Sequence, residues 1–314
     1  MATIPCITYW RDSNSCRHIM NSDSILTVGS IAIDWLEMPD GTEGEVLGGS
    51  ATYFVLAASQ FAPVHIVGVV GSDFPQEGHD LFKTHAANLD DLQVVEGKTF
   101  RWGGRYHENW ENRTTLFTEL GVFGDFKPTI SQGNRSCPLV FLANIQPSLQ
   151  LDVLSQIESP RLVITDTMNL WIDTALDDLK EVIAKTDILL LNDNEAEMLT
   201  GLTDSEGAGR ELCRQGPKSV IVKLGSSGAL LVEEERTVPV AAYKIEDIVD
   251  PTGAGDSFAG GLVGALAAGE SLIDSLITGS AIASFSVEGF GPSGLYNSDK
   301  DELAQRISCI RNLS

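Results

Sequence analysis

From residue 25 onward, short and almost wholly apolar runs alternate with longer helical stretches, and this alternation limits the possible folds more than any other feature. The run Ile188-Leu-Leu-Leu191 has no polar position. A strand with one wet face alternates polar and apolar residues, so an unbroken apolar run reads as a strand covered on both faces. Strands are predicted at 25–33, 65–70, 139–143, 162–165, 188–192, 219–223 and 229–232. Helices are predicted near 50–60, 76–88, 147–157, 171–184, 194–201, 206–215, 254–268, 272–287 and 300–311. The expected class is α/β, with a doubly wound, mainly parallel sheet flanked by crossover helices. Residues 34–48 and 94–122 break the pattern, mixing period-two alternation with Gly, as in Phe100-Arg-Trp-Gly-Gly-Arg-Tyr106. They predict antiparallel strands outside the main sheet, forming a small β-lid over its C-terminal edge. No repeat or linker divides residues 24–314, so one domain bearing that lid is expected. Residues 1–23 read as a disordered extension, and Met20 could be the natural start.

Charge and cysteine usage exclude several functions. Asp plus Glu is 44 against 21 Lys plus Arg, a formal charge of −23 with no basic stripe. Such a surface repels nucleic acid and anionic lipid, so any site for a phosphorylated ligand must supply its own positive potential. The longest apolar stretch, 258–269, is too short to span a membrane, and residues 1–23 lack the apolar core of a signal peptide. Five scattered cysteines, with no CxxC, argue against a disulfide framework or zinc site and suit a reducing cytoplasm. His79 and His85 are six apart and do not share a helix face as a metal pair would.

The segment Asp250-Pro-Thr-Gly-Ala-Gly-Asp-Ser-Phe-Ala-Gly-Gly261 carries the chemistry. It is a tight Gly-rich turn leading into a small-residue helix. A helix N-terminus offers unpaired N–H groups and partial positive charge, and Gly253 and Gly255 let a ligand oxygen approach the backbone. Asp256 would repel a phosphate if the segment only bound anions. It makes sense as the acceptor of a proton from a hydroxyl attacking phosphorus, kept ionised by backbone donors and the helix dipole. The alternative is an Asp that caps its helix. Gly97-Lys98-Thr99 imitates the end of a Walker A loop, but Leu92 stands where that loop needs Gly. No GxGxxG follows the first strand, and no GxSxG occurs.

This segment resembles the C-terminal signature of the ribokinase-like (PfkB-type) kinases, and the resemblance extends over about residues 25–311. Val28-Gly29-Ser-Ile-Ala-Ile-Asp34 is similar to the family's first strand, and Gly48-Gly49-Ser-Ala51 to its di-glycine motif. Gly68-Val-Val-Gly71-Ser-Asp73, Asn192-Asp-Asn-Glu195 and Lys223-Leu-Gly225-Ser-Ser-Gly228 follow in family order. The resemblance implies that Asp256 is the base and that the backbone of Gly253, Ala254 and Gly255 holds the γ-phosphoryl group. It implies that Asn192 and Glu195 organise Mg²⁺ and phosphates through water, that Lys223, Gly225 and Gly228 line the ATP site, and that Asp34, Gly48 and Gly49 face the acceptor. Asp250 and Thr252 match part of a loop that binds a monovalent cation such as K⁺ in some members. Each has a plainer reading: a turn for Asp34, a helix cap for Asn192 and Glu195, a helix start for Gly48 and Gly49, an exposed charge for Lys223.

Tyr53 stands where the family often has Asn, replacing an amide with a stacking face and one hydroxyl. Trp102, Tyr106 and Trp110 interleave with Arg101, Arg105 and Arg113 in the lid. They read either as a pocket that stacks a ring and pairs an anion, with Arg113 on substrate or phosphate, or as a lid core or lid-to-lid homodimer interface. Asn169, after a strand end, is a further acceptor-pocket candidate. The expected activity is ATP-dependent phosphorylation of a hydroxyl on a sugar, polyol or sugar acid. A nucleoside kinase of the same fold is the alternative, and a non-catalytic nucleotide or sugar sensor is the rival from another class.

Overall fold

The computed structural model describes residues 23–108, 110, 113–296 and 298–314. The expected N-terminal extension lies outside the described residues except for its last position, and so does Met20. The apolar runs do form strands: β1 (Ile25–Val28), β2 (Ala32–Glu37), β3 (Glu43–Gly48), β4 (Val64–Gly71), β5 (Leu92–Val95), β6 (Phe100–Tyr106) and β7 (Arg113–Glu119). These are followed by β8 (Leu139–Leu142), β9 (Leu162–Asp166), β10 (Ile188–Asn192), β11 (Ser219–Lys223), β12 (Ala229–Glu233) and β13 (Thr237–Val240). The main sheet has nine strands in the order β13-β12-β11-β10-β9-β8-β1-β4-β5. Its seven strands from β11 to β5 pair in parallel, and β12 and β13 add antiparallel pairs at one edge. Residues 188–191 are buried on both faces as their sequence requires, each worth roughly 1.5–3 kcal/mol of transfer free energy.

The helices are α1 (Ser50–Ala58), α2 (Gln76–His85), α3 (Pro147–Gln156), α4 (Asn169–Thr174), α5 (Leu176–Ala184), α6 (Asp193–Thr200), α7 (Ser205–Cys213), α8 (Ala254–Ala267), α9 (Leu272–Ser286), α10 (Ser293–Tyr296) and α11 (Lys300–Leu313). Helices α1, α8 and α9 contribute to one large apolar cluster with the sheet, while α3, α5 and α7 cover the opposite face in two smaller clusters. Small residues let α8 settle between its neighbours. A Cβ at Gly260 would lie 2.6 Å from Ala57 Cβ, and one at Gly261 would lie 3.0 Å from Gly279 Cα.

The small sheet is real but differs in detail from expectation. Its order is β3-β2-β6-β7, and its central pair, β2 with β6, is parallel, with Asp34 opposite Trp102. Both strands leave the main sheet at its C-terminal edge, and so they run the same way. The predicted strand over 25–33 breaks at Gly29, where a Cβ would lie 2.8 Å from Ser50 Oγ and 2.9 Å from the Ala51 nitrogen. The chain bends under the start of α1 there and enters the small sheet at Ala32. Residues 92–95 join the main sheet as its edge strand, so the second lid segment begins at Phe100. The helix expected over 171–184 is two helices, parted at Ala175, whose φ is −145°.

Candidate active site

A cavity of about 670 Å³ lies where the C-terminal ends of the parallel strands meet the small sheet. The strand ends supply Asp166, Asn192 and Lys223, and the loop after β8 supplies Asn144. Phe100, Trp102, Tyr106 and Arg113 of β6 and β7 form the cover, and Gly253–Asp256 the other side. This is where a parallel α/β sheet binds ligands, because its loops diverge there.

The Asp250–Asp256 turn is held from below. Asp250 is fully buried, and its two oxygens accept the N–H groups of Thr252 and Gly291, each at 2.8 Å. Thr252 Oγ1 donates to Tyr106 Oη at 3.0 Å, tying the turn to the small sheet. Gly253 precedes α8 at φ 72°, a left-handed conformation, and a Cβ there would enter the Tyr53 ring. No side chain caps α8, and residues 253–256 all line the cavity, so the positive end of the helix dipole opens into it. One of the three expected backbone donors is engaged within the turn: Ala254 N–H donates to the Pro251 carbonyl at 3.2 Å.

Lys223 is neither an ordinary exposed charge nor remote from the chemistry. Its Nζ lies 2.8 Å from both oxygens of Asp166 and 3.5 Å from where a Cβ on Gly255 would sit. Burial opposes its charge, but Asp166 and Glu195 outweigh burial and raise its pKa. Asp166, missed by sequence reasoning, had one signal: a carboxylate directly after a buried apolar strand. The expectation of a fully ionised Asp256 is corrected here. Burial, and next the charge of Asp166, raise its pKa to about 7 against the opposing pull of Lys223 and Arg113.

Asp34 sits across the cavity, almost fully buried. Burial raises its pKa to about 7, with Asp250 and Asp256 adding to the rise and the Gly49 N–H opposing it. Both glycines of the di-glycine motif have steric work. A Cβ on Gly48 would collide with the Asp34 carboxylate, and Gly49, at φ 89°, passes against the Ser30 carbonyl. Gly49 lines the cavity and Gly48 does not. Tyr53 lines the cavity, but it is 1% exposed with its ring packed against Gly253, so little of the expected stacking face is open. Arg113 instead lies over Trp102, with its guanidinium carbon 5.6 Å from the ring centre.

Asn192 and Glu195 combine the plain reading with the functional one. Each side chain accepts the other's backbone N–H at 2.8 Å, a reciprocal cap on α6, while both line the cavity. Burial raises the pKa of Glu195. Asn169 and Thr252 also face the cavity. Gly225 and Gly228 do not line it; with φ of 55° and 102° they shape the β11–β12 connection. Asn144 and Met198 line the cavity outside the quoted motifs, and Ser30, Ser50 and Thr167 line it without having been given a role.

The family described as pfkB family carbohydrate kinase matches residues 22–298. The chain belongs to the pfkB family. It is therefore a kinase of the ribokinase type, acting within the sugar and nucleoside kinases. A cytidine kinase of Thermococcus kodakarensis is 30% identical over 255 residues, covering 79% of this chain and 90% of its own. Among solved structures, Burkholderia thailandensis nucleoside kinase in complex with inosine has a TM-score of 0.78 at 18% identity, covering 92% of this chain and 98% of its own. Arabidopsis thaliana ribokinase complexed with ribose and ATP has a TM-score of 0.75 at 22% identity, covering 91% and 99%. These two establish the shared fold. Among the described residues of this pfkB-family chain, no helix is long and apolar enough to cross a membrane. Nor, among them, does any group of three His, Cys, Asp or Glu side chains form a metal cluster.

Proposed function

We propose that this chain transfers the γ-phosphoryl group of ATP to a sugar hydroxyl of a nucleoside. The observation that carries the reading is one cavity that joins an uncapped helix N-terminus, a carboxyl tuned to about 7, and an aromatic cover. A free pentose needs hydrogen bonds and little apolar surface. Phe100 and Trp102 on the cover, with Met168 and Met198 on the wall, suit a flat base beside the sugar. The name of the Thermococcus relative points the same way.

In this reading, Asp34, itself held by the Gly49 N–H, holds the sugar hydroxyls. Asp256 in its ionised form accepts the proton of the attacking hydroxyl. The hydroxyl oxygen so freed of its proton forms the new bond to the γ-phosphorus as the bond to the ADP oxygen breaks. The start of α8, Lys223 and Arg113 stabilise the charge on the transferring group. Mg²⁺ fits the donor set only in its usual style of few carboxylates and retained water: Asn192 and Glu195 would hold it through water, where it would neutralise phosphate charge. Asp250 spends both oxygens on backbone donors and acts as the brace of the turn. The small sheet excludes water and so limits ATP hydrolysis.

The test follows ADP release from Mg·ATP across nucleosides, sugars, polyols and sugar acids, with Asp256→Asn as control. Stimulation by nucleosides in the wild type alone supports the reading. Stimulation only by free sugars or sugar acids moves the assignment to that acceptor class, and ATP binding without any stimulation favours the sensor.

A further inference from the structure

Asn144 lies two residues beyond β8, half-buried, on the cavity wall. Its Oδ1 is 2.8 Å from Trp171 Nε1. An indole N–H only donates, so the amide oxygen must face Trp171 and the amide nitrogen must point the other way. The indole cannot easily yield, because Trp171 sits on α4 and packs against the apolar cluster under α6 and α7. On its other side, the Asn144 carbonyl accepts from Ser50 Oγ at 3.3 Å, and Ser50 exchanges hydrogen bonds with Ser30. Asn144 is thus fixed from both flanks beside Ser30 and Ser50, which line the same cavity as Asp34. Among the described residues, none accepts from its amide NH₂ group.

A second observation points to a ligand at the same wall. Thr167, 5% exposed, lines the cavity with its Oγ1 buried and without a hydrogen-bond partner. A buried hydroxyl left alone costs about 1–3 kcal/mol, whereas the amide NH₂ of half-buried Asn144 stays open to the cavity and available to a ligand. A bound molecule that brings lone pairs to this wall can take up that free donor.

We infer that Asn144, oriented by Trp171, is a specificity-determining residue that donates its amide N–H to a lone-pair group of the phosphoryl acceptor: a carbonyl oxygen, a ring nitrogen or a hydroxyl oxygen. Trp171 is a positioning residue that acts through Asn144, and Thr167 completes the polar wall. The inference rests on the acceptor-site reading above. An acceptor presenting only an amino or apolar group here leaves the NH₂ unpaired and is rejected.

The experiment measures kcat and KM for cytidine, uridine, adenosine, inosine and ribose, and KM for ATP, in the wild type, Asn144→Ala, Asn144→Asp and Trp171→Phe. The wild-type panel tests the proposed function by itself: if no nucleoside is a substrate, that reading fails, and the variants are then read on whichever acceptor turns over. For the preferred acceptor, Asn144→Ala is expected to lower kcat/KM roughly 10-fold. Asn144→Asp, which offers an acceptor in place of the donor, is expected to lower it roughly 100-fold. In both, KM for ATP stays within about twofold. Trp171→Phe keeps the apolar packing but frees the amide to turn, so it is expected to narrow the ratio of kcat/KM between best and worst acceptors. A packing role alone would leave that ratio unchanged. Thermal melts confirm that each variant is folded. The inference is overturned if folded Asn144→Ala and Asn144→Asp keep kcat/KM within twofold of wild type, if ATP KM moves as much as acceptor KM, or if Trp171→Phe leaves the acceptor ratio untouched.

Discussion

Replacing Asp256 with Asn is expected to stabilise the protein in alkaline solution while abolishing its turnover. The wild-type carboxyl has its pKa raised from 3.8 to about 7, so the folded state holds this group's proton more tightly than the unfolded chain does. Stability therefore falls as pH rises from about 4 to about 7, and above that range the full cost of a buried charge is present. Each pKa unit corresponds to about 1.4 kcal/mol, which sets a ceiling of about 4 kcal/mol for the gain on removing the charge. The carboxyl is partly open to the cavity, and an Asn amide there also wants partners, so a gain of about 1–2 kcal/mol is expected, or roughly 2–4 °C in Tm. Urea unfolding at pH 8.5 and pH 5 checks the sign: the gain should be present at the higher pH and less than half as large at the lower. Turnover of the same variant should fall roughly 10²–10⁴-fold. A variant no more stable than wild type at pH 8.5 would refute the burial cost, and one retaining a tenth of wild-type turnover would remove Asp256 from the base role.

Other perturbations probe its neighbours. Asp166→Asn removes a charge that raises the Asp256 pKa, so the acid limb of the kcat/KM profile should move to lower pH, while Lys223→Met removes an opposing charge and should move it higher; limbs shifting together in one direction would contradict the arrangement. Lys223→Met also strands Asp166 in the interior and should cost roughly 3 kcal/mol in urea unfolding, which equal midpoints would rule out. Gly253→Ala places a Cβ against the Tyr53 ring at a left-handed φ and should lower stability by about 2 kcal/mol or more, with kcat falling as the turn shifts; wild-type Tm and kcat would show that the turn has slack. Tyr106→Phe deletes the bond to Thr252 and should raise ATP hydrolysis without acceptor relative to productive transfer, whereas an unchanged ratio would separate the small sheet from the turn.

What the sequence determined by itself is what depends on neighbours along the chain. An apolar run such as 188–191 has no polar face to show to water, so it had to lie inside a sheet covered on both sides. The Gly-rich turn before a small-residue helix marked a helix N-terminus, and Asn192 with Glu195 at a spacing of three allowed a reciprocal cap; that Asp256 leaves its helix uncapped and that the Asn192–Glu195 cap forms emerged with the fold. Signals of that range also exposed the small sheet, though not the parallel pairing of β2 with β6, which depends on where two distant segments leave the main sheet. The partners of charges and rings were decided only in three dimensions. Lys223 and Asp166 are 57 residues apart and meet because their strands, with β10 between them, end at one edge. Tyr53 read as a stacking surface until the fold laid Gly253 over its ring. Asn144 had no motif at all, and the direction of its amide was set by an indole 27 positions away. Local patterns encode which surfaces must be buried, because water acts on each residue where it stands. Which groups meet in the buried space depends on strand order and on where each strand stops, and those follow from the packing of the whole chain.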